Sequence, residues 1–272
     1  MANVQWFPGH MKKAERMMQE NLKLVDVICE VVDARIPRAS RNPDLDEIIA
    51  GRKPRLLILN RADQADPAVT ALWKAHYKER EIPFLECDAR SGRGIKGFSA
   101  ALRALRDKNG PLRAMVVGVP NVGKSTFINK VSGRKTAAVS DRPGVTRGKQ
   151  WITVDSQLEL LDTPGILWPR FDDQAVGERL AFTGAVKDDV LDMEALAAGL
   201  LVTLRESYPA VIQERYKISA DPEKQGWELL EECARKRGFL MARGEVNTER
   251  MAAVLLDEFR GGKLGRISLE RP

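Results

Sequence analysis

The chain is poor in cysteine, histidine and aromatic residues. Its 272 residues include three cysteines, two histidines and 6% aromatic side chains. Cys29, Cys87 and Cys233 are unevenly spaced and form no CxxC pair. A disulfide framework is excluded on that count, and a zinc site is disfavoured. Cys29 and Cys87 fall in apolar runs and are expected as small buried hydrophobes, which suits a reducing compartment. No apolar run is long enough to span a bilayer, and the N-terminus lacks the pattern of a secretory leader. The expected location is the cytoplasm, with no membrane partner. With 43% hydrophobic residues the chain has the material for packed cores, which excludes wholesale disorder.

Positive charge is in excess. Lys and Arg number 44 against 38 Asp and Glu, a net charge of +6. Arg35, Arg38, Arg41, Arg52, Lys53, Arg55 and Arg61 form one cluster. Arg134, Lys135, Arg142, Arg147 and Lys149 form another, while Asp172 to Glu194 is acidic. Such clusters suggest a polyanionic partner. Taken singly, each run also reads as a solvated surface.

In chain order, an arm over residues 1–24 carries Trp6-Phe7-Pro8-Gly9-His10 and then a helix from Met11. Strands are expected over 27–33, 55–60, 82–87, 114–117, 150–155 and 158–161. Helices are expected over 45–50, 67–80, 95–107 and 126–131, with Asp66 and Pro67 opening the second. From about Phe171 strand signals stop. Helices are expected over 175–183, 193–207, 226–236 and 248–259, with Thr248 as the N-cap of the last. The segment Gly261–Arg266 reads as a basic, flexible tail. The expected architecture is an α/β domain over 1–170 with a largely parallel sheet, then an all-helical domain over 171–272.

The strongest motif is Gly118-Val119-Pro120-Asn121-Val122-Gly123-Lys124-Ser125, which fits the phosphate-binding loop G-x-x-x-x-G-K-[ST]. It sits between a strand and a helix, the context such a loop needs. Backbone N–H groups from Asn121 to Thr126 would wrap phosphate at a helix N-terminus. Lys124 would reach the β- and γ-phosphates, and Ser125 would hold Mg²⁺. A Gly-rich turn before a helix is the plain alternative.

Other strand ends complete a constellation. Asn60-Arg61-Ala62-Asp63 follows a strand, and Asp63 can accept from both guanine donors, N1–H and the 2-amino group. Adenine offers no such pair, so this loop would select GTP. Asn60 would tie it to the phosphate loop. Arg61 stands where the usual motif has Lys, and its guanidinium can still cover the base. Asp88-Ala89-Arg90 occupies the position of a second base loop, with a backbone N–H for guanine O6. Asp162-Thr163-Pro164-Gly165 suits a carboxylate holding Mg²⁺ through water and a Gly165 N–H facing the γ-phosphate. Thr146 is placed to offer Mg²⁺ its hydroxyl. For Asn60 and Asp63, an Asn–Asp turn remains the alternative.

The order of these motifs resembles that of the circularly permuted GTPases, in which base-recognition loops precede the phosphate loop. Within them the chain is similar to the bacterial ribosome biogenesis GTPase A group, also called YlqF. Trp6-Phe7-Pro8-Gly9-His10-Met11, Asp33-Ala34-Arg35-Ile36-Pro37 with Arg41-Asn42-Pro43, Asp162–Ile166 and Gly262–Ile267 carry the likeness. The resemblance implies a Ras-like fold in permuted order and a role in late assembly of the large (50S) ribosomal subunit. It implies rRNA binding and GTP hydrolysis to GDP stimulated by the particle; a monomer off the ribosome is expected. Ile166 and Leu167 stand where Ras-like GTPases keep a water-orienting glutamine. The resemblance suggests that Asn121 ligates K⁺ against the phosphates and that His10 positions the water; a capping Asn121 and a structural His10 are the alternatives. A P-loop kinase and a non-hydrolysing RNA-binding scaffold are the rival functions.

Overall fold

The computed structural model describes residues 16, 18–49, 51–106, 110–133, 150–165, 167 and 173–272. His10, Thr146, Ile166 and the basic cluster from Arg134 to Lys149 lie outside the described residues.

Six strands form one sheet: β1 (Val27–Asp33), β2 (Arg55–Asn60), β3 (Phe84–Glu86), β4 (Leu112–Val117), β5 (Gln150–Asp155) and β6 (Leu158–Asp162). Their spatial order is β3-β2-β1-β4-β6-β5. All neighbours pair in parallel except β5 with β6. β1 is buried along its whole length, Glu30 and Asp33 included, as befits a central parallel strand. β5 is mostly exposed, as befits an edge. The first strand of the chain therefore lies mid-sheet beside β4. Reading from β4 through β5 and β6 and then through β1, β2 and β3 restores an unpermuted order. In this chain β6 leads into helices instead.

The helices are α1 (Asp44–Ile49), α2 (Pro67–Glu79), α3 (Phe98–Arg103), α4 (Lys124–Ser132), α5 (Gln174–Phe182), α6 (Met193–Ser207), α7 (Pro209–Tyr216), α8 (Gly226–Lys236) and α9 (Thr248–Arg260). Asp66 caps α2 by accepting from Ala68 N and Val69 N at 2.8 and 3.2 Å. The helix expected over 95–107 is a short 3₁₀ turn at 95–97 followed by α3, because Gly94 is left-handed and no side chain caps the start. α9 is capped one residue earlier than expected: Asn247 Oδ1 accepts from Arg250 N at 2.8 Å. α7 was not expected, although Pro209 at its first turn is a helix-start signal. Among the described residues no single helix is long and apolar enough to cross a membrane. α6 and α7 together approach that, but they bend by 117° and bury their apolar side chains among α8 and α9.

The reading of Gly261–Arg266 as a flexible tail is overturned. Leu264, Ile267 and Leu269 are buried, and the segment runs back across the α/β part as a strap. Leu269 N donates to Arg35 O and Ile267 N to Gln64 O, both at 2.8 Å. Arg266 donates to the carbonyls of Ala65 and Ala62 at 2.9 and 3.1 Å. Trp73 Nε1 donates to Glu270 O at 3.2 Å. Covering an apolar side chain such as Leu264 stabilises the docked strap by about 1.5–3 kcal/mol.

Candidate nucleotide site

Because β1, β2, β3, β4 and β6 are parallel, their C-terminal ends share one edge of the sheet. Ligands bind at such an edge in open α/β sheets. α4 starts there at Lys124 with left-handed Gly123 as its N-cap and no side-chain cap. Its first N–H groups are therefore available to an anion. Gly123 is required twice over: its φ is +96°, and a Cβ would lie 2.4 Å from Asn60 Nδ2.

Asn60 joins three loops. Its Nδ2 donates to Val122 O at 2.9 Å, and its Oδ1 accepts from Ala89 N at 3.0 Å. The tie expected between the base loop and the phosphate loop is present, and it also takes in the 88–90 loop. Here the Ala89 N–H is directed to Asn60. Asp88 turns its own loop, accepting from Arg90 N at 2.9 Å and Ser91 N at 3.3 Å. Asp63, half-buried, is not drawn into any hydrogen bond among the described residues. Arg61 clamps the phosphate loop by donating from Nη2 to Asn121 O at 2.8 Å.

Lys124 and Asp162 face one another as buried opposite charges. Burial pushes Lys124 down, and Asp162 opposes it. Burial pushes Asp162 up; Lys124 and a hydrogen bond from Thr163 N–H oppose it. Asp162 Oδ1 is buried with no hydrogen-bond partner. An orphaned carboxylate oxygen is costly unless a ligand meets it. Ser125, on the first turn of α4, and this oxygen fit a Mg²⁺ held by one hydroxyl, one carboxylate-bound water and phosphate oxygens. Mg²⁺ bound there would neutralise charge on the β- and γ-phosphates. Thr163 Oγ1 donates to Val116 O at 2.8 Å, fixing the end of β6 to β4.

The sequence reading missed the helical side of this edge. Asn121, at φ +56°, donates from Nδ2 to Gly184 O at 2.7 Å. Arg35 is fully buried, forks onto Asp33 at 2.9 and 2.7 Å, and reaches Phe259 O at 3.0 Å. Burial would raise Asp33, but the charge and hydrogen bonds of Arg35, with the charge of Arg61, hold it below the usual carboxylate range. Part of the Arg-rich cluster is likewise paired within the fold, though only half-buried. Arg41 and Arg55 pair with buried Glu30 and with Asp46. Arg38 lies over the Trp73 ring and its backbone N–H donates to the Glu270 carboxylate, while Arg52 is exposed and Lys53 half-buried. The signal for the strap was the apolar set of Leu264, inside the stretch read as basic, with Ile267 and Leu269 just after it.

Fold and site together define a P-loop nucleotide-binding protein with a guanine-type base loop and a permuted chain order. A family model described as 50S ribosome-binding GTPase matches residues 113–225, starting at the phosphate-loop strand. The chain is 46% identical to the ribosome biogenesis GTPase A of Bacillus cereus, covering 99% of this chain and 94% of that one. The solved GNP-bound YlqF from T. maritima has a TM-score of 0.70 and 30% identity, covering 96% of this chain and 98% of its own. A GDP-bound YlqF structure also gives a TM-score of 0.70, at 28% identity, covering 94% and 99%. The chain belongs to the ribosome biogenesis GTPase A family. It is a GTP-hydrolysing enzyme of ribosome biogenesis.

Proposed function

We propose that this GTPase acts late in maturation of the large (50S) ribosomal subunit, binding its rRNA and turning over GTP on the particle. The observation that carries the reading is the joint at Asn60. One side chain holds the base loop, the 88–90 loop and the phosphate loop together, so guanine and phosphate recognition form one unit. The matched family model is described as 50S ribosome-binding, which supports the choice of particle.

In this reading Asp63 pairs with guanine, Arg61 holds the base loop, and the Asp88–Ala89 loop borders O6. The N–H groups from Asn121 to Thr126 and Lys124 cradle the phosphates, and Gly165 N–H faces the γ-phosphate. Ser125, Thr146 and Asp162 serve Mg²⁺. Leu167 is buried at 3% exposure, so it orients no water. Asn121 would hold K⁺, whose charge would favour the transition state, and His10 would orient the water. Residues 1–170 form the GTPase domain and 171–272 the helical, rRNA-contacting domain. Arg38, Arg52 and Lys53 add phosphate contacts, which makes binding salt-sensitive. The protein works in the cytoplasm, as a monomer off the ribosome.

The test is a GTPase assay with and without large subunits, in KCl and in NaCl, with Lys124→Ala as control. Stimulation by the particle and by KCl is expected, and no turnover by Lys124→Ala. Equal slow rates in all conditions refute the particle and K⁺ roles together.

A further inference from the structure

Arg61 touches both halves of the molecule. Its Nη2 donates to Asn121 O in the phosphate loop at 2.8 Å. Its Nη1 donates to Arg260 O, the last carbonyl of α9, at 3.2 Å. Its Nε lies 3.7 Å from Asp33 Oδ2. The backbone of Arg61 is left-handed at φ +60°, a conformation rare for a long side chain, so its surroundings dictate its geometry.

What Arg61 holds is not isolated. Asp33 is gripped by Arg35, which reaches Phe259 O one residue before Arg260. Arg260 itself donates to Phe182 O and Ala181 O and pairs with Asp188, tying α9 to α5 and the turn after it. Asn121 meets Gly184 in that same turn. Beyond α9, the strap returns to the base loop through Arg266 and Ile267. The backbone that follows Arg61 is therefore held by the strap, and its fork joins α9 to the phosphate loop.

We propose that Arg61 is a positioning residue that couples nucleotide at the phosphate loop to docking of α9 and the strap. The planar fork serves two carbonyls in different segments and a carboxylate at once. Lysine, with one compact ammonium, keeps a charge for the phosphate loop without reproducing three fixed directions. A nucleotide that pulls on the Asn121 peptide shifts one end of the fork, and the Arg260 carbonyl sits on the other. Coupling of this kind is reciprocal: docking the helical part changes nucleotide affinity by the same factor. The proposal rests on the phosphate loop being the nucleotide site.

Amide hydrogen exchange of the full chain tests it, comparing no nucleotide, GDP and a non-hydrolysable GTP analogue, in wild type and Arg61→Lys. Two segments are read: 118–125, which reports nucleotide, and 261–269, which reports the strap. In wild type, nucleotide should protect 118–125 and change exchange in 261–269 by about fivefold or more, the low end of ordinary coupling between sites. At nucleotide concentrations that saturate protection of 118–125, Arg61→Lys should lose the nucleotide-dependent difference in 261–269. A merely structural Arg61 would shift 261–269 equally in every nucleotide state, which overturns the proposal. So does an unchanged nucleotide response in Arg61→Lys, or a wild-type strap indifferent to nucleotide. If no nucleotide concentration protects 118–125 in Arg61→Lys, Arg61 serves binding alone and the coupling is refuted. A wild type without protection at 118–125 would overturn the nucleotide site, and the coupling with it.

Discussion

Gly165 lies against Pro120: a Cβ on Gly165 would sit 2.8 Å from Pro120 Cα and 2.9 Å from Pro120 N. The loop after β6 thus packs on the backbone of the phosphate loop, with no room for a side chain. Backbone at that distance cannot move aside as a flexible side chain can. Gly165→Ala should push the two loops apart and cut single-turnover GTP hydrolysis by at least about tenfold, the effect of ~1.4 kcal/mol on the barrier. GDP affinity should fall less if, as proposed, Gly165 N–H faces the γ-phosphate. Rapid-quench kinetics and a fluorescent GDP titration make the comparison, and equal losses in both would contradict this role.

Asn60→Ala removes the acceptor for Ala89 N–H and the donor for Val122 O. Both partners would be left buried, at about 1–3 kcal/mol each before water or nucleotide compensates. Thermal unfolding without nucleotide should show the loss, and GTP affinity should fall by more than the stability change explains. Isothermal titration of nucleotide beside the melting curves checks both.

Asp162→Asn retains the shape of the side chain and removes its charge. The Oδ1 atom has no protein partner, so the substitution breaks no protein hydrogen bond there. Stability without nucleotide should fall, because relief of the buried carboxylate is outweighed by leaving the buried Lys124 charge without its opposite. The Mg²⁺ concentration for half-maximal turnover should rise by about tenfold or more. Stripping Mg²⁺ with EDTA should bring wild type to the rate of the variant. A variant with unchanged Mg²⁺ dependence would remove Asp162 from the metal site.

The helical part carries its own acid-sensitive joint. Glu258 accepts from Arg215 at 3.1 Å and from the Tyr216 hydroxyl at 2.8 Å, with Arg237 beside it. Burial would raise its pKa, but these partners hold it below the ordinary 4.5. The folded pKa is the lower one. Its stabilisation is therefore complete above 4.5 and is lost as pH falls through the depressed folded value. Glu258→Gln should cost about 1–3 kcal/mol near neutral pH, as expected for losing a charged hydrogen-bond acceptor. That difference should shrink below 4.5. Urea unfolding followed at both pH values decides it.

The local rules were legible from the residues. The phosphate loop declares itself because a strand, two glycines, Lys124 and Ser125 must follow one another in a fixed span. The strands of the sheet interior declare themselves because burial on both faces leaves continuous apolar runs such as Leu56–Leu59 and Ala114–Val117. Asn60 was readable as a tie because its amide can both donate and accept, and its motif stands at a strand end. Periodicity marked most helices, yet α7 went unread behind the bend at Tyr208.

Tertiary structure decided what charge and sequence order leave open. Arg35, Arg41, Arg55 and Arg61 resemble a surface cluster as letters, yet Arg35 and Arg61 reach carbonyls of α9, and Arg41 and Arg55 meet buried Glu30 of β1. A guanidinium looks alike whether it meets water, RNA or a buried Asp33, and only the fold settles which. The strap shows the same thing. Its basic residues suggest solvent, but Arg266 finds two carbonyls of the base loop and its apolar neighbours find a core. The residues around the phosphate loop therefore determined nucleotide chemistry by themselves. How the helical part reaches that chemistry depended on contacts between residues more than a hundred positions apart, which no local pattern encodes.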